Sequence, residues 1–101
     1  MSTFGLFGKL VAVEGQRDML ANLLLEAASK LKEVEHCESY IVSLSEEDPN
    51  AVFVFEAWKD EQAHKASLSL EAIQQLIERA KPIIAGMERI QTLSPLGGKG
   101  I

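Results

Sequence analysis

An indole, an imidazole and a hydroxyl follow one another at Trp58, His64 and Ser67. An imidazole with an unperturbed pKa near ~6.5 can take a proton from a phenol or quinol at neutral pH. An indole offers a flat wall for an aromatic substrate and an N–H donor beside it. His64 and Ser67 are three residues apart, so they share a face if one helix carries both. The bland alternatives are a core tryptophan and a solvated histidine. Glu56 stands two residues before Trp58 and shares its face on a strand. It reads as a general base or, preferably, as half of an ion pair with Lys9 or Arg89. Tyr40 could present its hydroxyl to a substrate, although packing is the commoner role for a half-buried strand tyrosine. Cys37 has Glu35 and Glu38 as close neighbours, and acidic neighbours disfavour the thiolate. His36, in a polar junction, is expected to be solvated. With one cysteine and two histidines, no metal site is expected, and no motif for an organic cofactor is present.

These residues hang on elements with clear periodicities. Val52-Phe53-Val54-Phe55-Glu56-Ala57-Trp58 is apolar on both faces: Val52, Val54 and Trp58 join Glu56 on one, and Phe53, Phe55 and Ala57 make the other. The third strand is therefore placed at Ala51 to Trp58. A first strand is predicted from Thr3 to Val13, ended by Gly15. Leu20, Leu24, Ala27, Leu31 and Val34 predict a helix from Gln16 to about Val34. A second strand is predicted from Glu38 to Leu44, with the polar turn Ser45 to Asn50 after it. Asp60 is a candidate N-cap with Glu61 in the first turn. The helical region it opens runs to about Ala80, with a break near Ser67-Leu68-Ser69 where Ser69 could cap a fresh helix. Pro82 ends it. Gly86 begins the last connection, and Met87 to Leu93 is the predicted fourth strand. Ser94 to Ile101 is an irregular tail whose Gly97-Gly98-Lys99-Gly100 lacks the following helix of a phosphate loop. That tail could fold over a pocket or reach a partner subunit.

The order strand, helix, strand, strand, helix, strand predicts an α+β, ferredoxin-like βαββαβ fold. Its four-stranded antiparallel sheet carries two helices on one face. One domain is expected over residues 1–101. Both faces of the third strand need cover, yet the helices supply only one. Pairing of two sheets across the bare face predicts a homodimer. The 101 residues are 47 % hydrophobic, which excludes a disordered tail, and carry a net charge of −5. An acidic surface disfavours nucleic acid and anionic membranes as partners. No basic flank precedes an apolar run at Met1-Ser2-Thr3-Phe4, so a cytoplasmic protein is expected.

In this order and spacing the chain resembles the antibiotic biosynthesis monooxygenase family of dimeric α+β barrels. The resemblance runs over nearly the whole length. Its marks are Gly15-Gln16-Arg17, the strand with Cys37, Tyr40 and Val42, and the strand end Glu56-x-Trp58. Ala63-His64 with Ser67-Leu68, and Pro95-Leu96-Gly97-Gly98-Lys99-Gly100, complete it. The resemblance implies a barrel-forming dimer, an aromatic role for Trp58 at a pocket, and a pocket location for His64. The chain also departs from the pattern. Ser67 stands where many members have a later histidine, and Glu35-His36 where many have Pro-Gly. Members that degrade haem use a first-strand asparagine, whereas the asparagines here are Asn22 and Asn50, so haem degradation is not expected.

The leading functional expectation is a cofactor-independent monooxygenase that oxidises a small electron-rich aromatic, a phenol or quinol, with dioxygen. His64 and Trp58 would be catalytic, and Trp58, Ser67 and Tyr40 would bind substrate. Two alternatives remain open: a non-catalytic dimer that binds a small molecule, and a sugar-phosphate isomerase of the same fold. The latter would need phosphate-binding cations of which the chain offers few.

Overall fold

Two layers of chain, one sheet and one tier of helices, give this protein a short axis of only 19 Å against 41 and 31 Å for the others. A computed structural model describes residues 3–100. The elements are β1 (Phe4–Ala12), α1 (Arg17–Leu31), β2 (Cys37–Leu44), β3 (Ala51–Trp58), α2 (Glu61–Ser67), α3 (Glu71–Ala80) and β4 (Ile84–Leu93). The sheet is antiparallel throughout in the order β2-β3-β1-β4. This is the expected α+β, ferredoxin-like arrangement, with the helical region divided.

Strand alternation sorts the side chains as the sequence requires. Val52, Val54 and Trp58 are buried under the helices, with Leu6 beside them on β1. Leu20, Leu23, Ala27 and Leu31 form the buried stripe of α1, and Ile73, Leu76 and Ala80 that of α3. On the opposite face Phe53 and Phe55 are half-buried, and the Phe7 and Phe53 rings stack with centroids 5.6 Å apart. That face also holds exposed Ile41 and a shallow depression of about 340 Å³ lined by Phe7, Ile41 and Phe55. No helix covers it.

Several boundaries differ from expectation. The first strand is one residue shorter at each end than Thr3 to Val13, and α1 stops at Leu31 rather than near Val34. Gly15, with φ of +83°, makes the turn between them. The second strand starts one residue early, at Cys37, with a register shift between Cys37 and Ser39. The helical region breaks where expected, but Ser69 is not the cap. Leu70 occupies the cap position in extended backbone, with no side-chain acceptor, so the serine hydroxyl stands one residue too early. The fourth strand begins at Ile84, directly after a 3-10 turn at Lys81–Ile83, and Gly86 lies inside it opposite Val11. Pro82 ends α3 as expected without delaying the strand, because Val13 N–H is met by the Ile83 carbonyl at 2.8 Å. The tail does not fold over the helix-side cavity at its start. A Cβ at Gly5 would stand 3.0 Å from Pro95 Cγ, so Pro95 sits on the helix-free face.

Candidate active site

Trp58 is the last residue of β3, and the chain reverses over it within a few residues. Asp60 makes that reversal specific: its carboxylate accepts the Ala63 N–H at 2.7 Å and caps α2. One turn into the helix, His64 lies back over the strand end. Its ring meets Trp58 edge-on, with centroids 5.8 Å apart and planes at 65°, and meets Phe4 at 5.6 Å. Trp58 is fully buried and His64 is 9 % exposed. The tryptophan is thus both a core side chain and one end of a cavity.

Glu56 ties the two together. The Trp58 Nε1–H donates to Glu56 Oε1 at 2.9 Å, and the same oxygen lies 3.7 Å from His64 Nε2. The second contact is too long for a hydrogen bond but within ion-pair range. The expected pairing of Glu56 with Lys9 is not formed. Lys9 lies opposite Phe53 on the helix-free side and reaches Asp48 at 3.9 Å, whereas Glu56 points under the helices. Arg89 does not pair with Glu56 either among the described residues; it lines the cavity farther along.

The electrostatics follow from burial and this carboxylate. Burial lowers the His64 pKa from its ordinary 6.5, Glu56 pulls it back up, and Arg89 adds a further lowering. The ring is therefore neutral at pH 7, with an anion beside it ready to stabilise the imidazolium. Tyr40 faces Glu56 across the β2–β3 ladder. Burial, then the Glu56 charge, raises its pKa above the ordinary tyrosine value, so it stays a phenol. Burial also raises the Cys37 thiol, with Glu56 and Glu38 adding to the shift, which matches the expectation of an unreactive cysteine. His36 is exposed.

Between the sheet and the helices lies a cavity of about 460 Å³. Trp58, His64 and Ser67 stand at one end, Gly8 and Val54 are on its floor, and Leu24 and Ile73 are on its helical side. Tyr40 and Glu56 also border it. The Ser67 hydroxyl donates to the His64 carbonyl at 2.6 Å, so its proton is already engaged. All four residues singled out from the sequence, Trp58, His64, Ser67 and Tyr40, thus border one space. Sequence reasoning paired Glu56 with Lys9 or Arg89, whereas its partners are Trp58 and His64, and Arg89 lines the cavity instead. The shared strand face of Glu56 and Trp58 was read correctly; the side on which Lys9 lies was not.

Fold and cavity define a ferredoxin-like α+β domain with an aromatic and imidazole end to an apolar slot. The sequence profile described as antibiotic biosynthesis monooxygenase matches residues 4–79, and the chain belongs to that family. A crystal structure from Chloroflexus aurantiacus named for the same family is 41 % identical, covers 99 % of both chains, and superposes with a TM-score of 0.90. A protein from Deinococcus radiodurans, also named for the family, is 22 % identical over 98 % of this chain and 95 % of its own, with a TM-score of 0.75. One from Pseudomonas aeruginosa is 15 % identical over 96 % and 97 %, with a TM-score of 0.85. These last two likenesses concern the fold alone. No curated protein matches the chain. Among the described residues no helix is long and apolar enough to cross a membrane.

Proposed function

We propose that this protein is a cofactor-independent monooxygenase that oxidises a small phenol or quinol with dioxygen, and that it works as a homodimer. The observation that carries the reading is the buried His64 held against Trp58 at the end of an apolar cavity. A phenol stacked along the slot gives its proton to the imidazole. Glu56 stabilises the imidazolium so formed, and Trp58 fixes that carboxylate through its N–H. The resulting phenolate is electron-rich enough to pass one electron to dioxygen. The phenoxyl radical and superoxide then combine at a ring carbon, forming a C–O bond. Loss of water from the hydroperoxide leaves a quinone. One oxygen atom enters the product and the other leaves as water, so phenol plus dioxygen balances quinone plus water. Apolar walls favour this sequence by keeping bulk water from the anion.

The homodimer rests on the uncovered sheet face with Phe7, Phe53, Phe55 and Ile41. A second copy laid on that face is the simplest cover. A non-catalytic binding dimer is the competing reading. It is favoured by the fact that the Trp58 N–H and the Ser67 hydroxyl proton are both engaged within the chain, leaving few polar groups for a ligand. Incubation of hydroquinone and naphthol substrates under isotopic dioxygen separates the two. One labelled atom per product molecule supports the monooxygenase, and binding without turnover supports the alternative.

A further inference from the structure

We propose that Arg89 forms a carboxylate subsite at the far side of the cavity, so that the preferred ligand is an aromatic ring bearing a carboxylate. This rests on the same cavity reading and names its ligand class. Arg89 lies on the edge strand β4 directly opposite Gly8, and the cross-strand row continues from Gly8 to Val54. Val54 is buried on the helix side, so this row forms cavity floor. Gly8 has no side chain to fill the space next to the guanidinium. A Cβ there would meet only the Glu88 carbonyl, at 3.5 Å.

The charges along the slot are arranged asymmetrically. At the inner end stands the Glu56 carboxylate, already bonded to Trp58. At the outer end stands the exposed Arg89, which forms no ion pair or side-chain hydrogen bond among the described residues. Its sequence neighbour Glu88 forms no ion pair with it among the described residues; Glu88 stands opposite Lys9 in the ladder, and alternation turns it toward the other face. Lys9 in turn is engaged by Asp48. Arg89 and Glu56 sit two strands apart and one row apart, so their Cα atoms are separated by ~12 Å. The cavity between them, about 460 Å³, has room for one substituted ring. A carboxylate on that ring is repelled from Glu56 and held by the planar guanidinium, which suits bidentate carboxylate recognition. The orientation that results points a hydroxyl at His64.

The chain has one tryptophan, so quenching of its fluorescence reports occupancy beside Trp58 directly. Hydroquinone and 2,5-dihydroxybenzoate differ by one carboxylate and serve as the probe pair, titrated into the wild type, Arg89→Gln and Arg89→Lys. The wild type is expected to bind the carboxylate at least ~tenfold more tightly, the size of one charge-assisted contact. Arg89→Gln should bring the two affinities level, and Arg89→Lys should keep part of the preference. Unaltered circular dichroism of each variant shows that the fold is kept. Equal affinities in the wild type, or a preference that survives in Arg89→Gln, would overturn the subsite while leaving the cavity reading intact. If neither probe quenches Trp58, the cavity reading and the subsite fall together.

Discussion

At the residue scale, the site is a competition between burial and one carboxylate. Burial is the largest effect on His64 and keeps the ring neutral, while Glu56 opposes it. Two consequences can be measured. The activity per free enzyme should fall on the acid side with a midpoint below 6.5, because the base must be unprotonated. Glu56→Gln removes the upward pull and should move that midpoint lower still, and an upward move would contradict the assignment. Linkage gives the second consequence. A histidine whose folded pKa is depressed supplies stability above its unfolded value and loses it as pH falls through the folded one. The urea midpoint of the wild type should therefore drop below pH 6.5 by more than that of His64→Gln. Trp58 needs a gentler probe than truncation. Because it is fully buried, Trp58→Ala should cost ~3–5 kcal/mol in stability and confuse binding with folding. Trp58→Phe keeps most of the volume and loses the N–H to Glu56; it should raise KM. Trp58, His64, Ser67 and Tyr40 were singled out from type, spacing and family resemblance, and all four border one cavity. The role of Glu56 was not legible, because sequence does not say which face Lys9 takes.

At the element scale, the reversal from β3 into α2 sets the geometry of the candidate site. Its existence was legible from Asp60, whose side chain is an N-cap acceptor immediately after an apolar strand. The end of α2 near Ser67 was legible as well, but the residue that opens α3 was not. Ser67 closes its own last turn by bonding the His64 carbonyl, and Leu70 then opens α3 without a side-chain cap. Tertiary packing of Ile73 and Leu76 on the core starts that second helix, not local capping chemistry. The start of β4 was hidden for a similar reason. Ile84 joins the sheet by pairing with Ala12 across a register shift, which the local Pro82 and Gly86 signals obscure. The cap offers a direct test. Asp60→Ala should lower stability by ~1 kcal/mol in urea unfolding. It should also lower quinol turnover disproportionately, since the first turn of α2 aims His64. Loss of stability with unchanged turnover would show that the Trp58 and Phe4 contacts alone hold the ring.

At the scale of the whole molecule, the proposed homodimer rests on thickness. One sheet and one helical tier fill a 19 Å axis, and the aromatic residues of the second sheet face stay uncovered. Burying a large apolar side chain is worth roughly 1.5–3 kcal/mol, and the proposed homodimer would set that gain over several half-buried residues against the losses of association. The two-faced apolarity of Val52 to Ala57 made the need for cover legible in the sequence. The pairing geometry is not encoded in any local pattern. Sedimentation at micromolar concentration should report a dimer for the wild type, and Phe53→Lys should shift it toward monomer. A wild-type monomer with native circular dichroism would remove the dimer from the account.

The central claim is that His64 removes a proton from an electron-rich aromatic so that dioxygen can react with it. Dioxygen uptake by the wild type and by His64→Ala, measured with one hydroquinone panel at neutral pH, tests it most directly. A positioned general base contributes ~10²–10⁴-fold to a rate, so His64→Ala should lose at least ~tenfold while keeping the wild-type sedimentation profile. Robust uptake that is the same in both proteins, or no uptake above buffer by the wild type with any member of the panel, would contradict it.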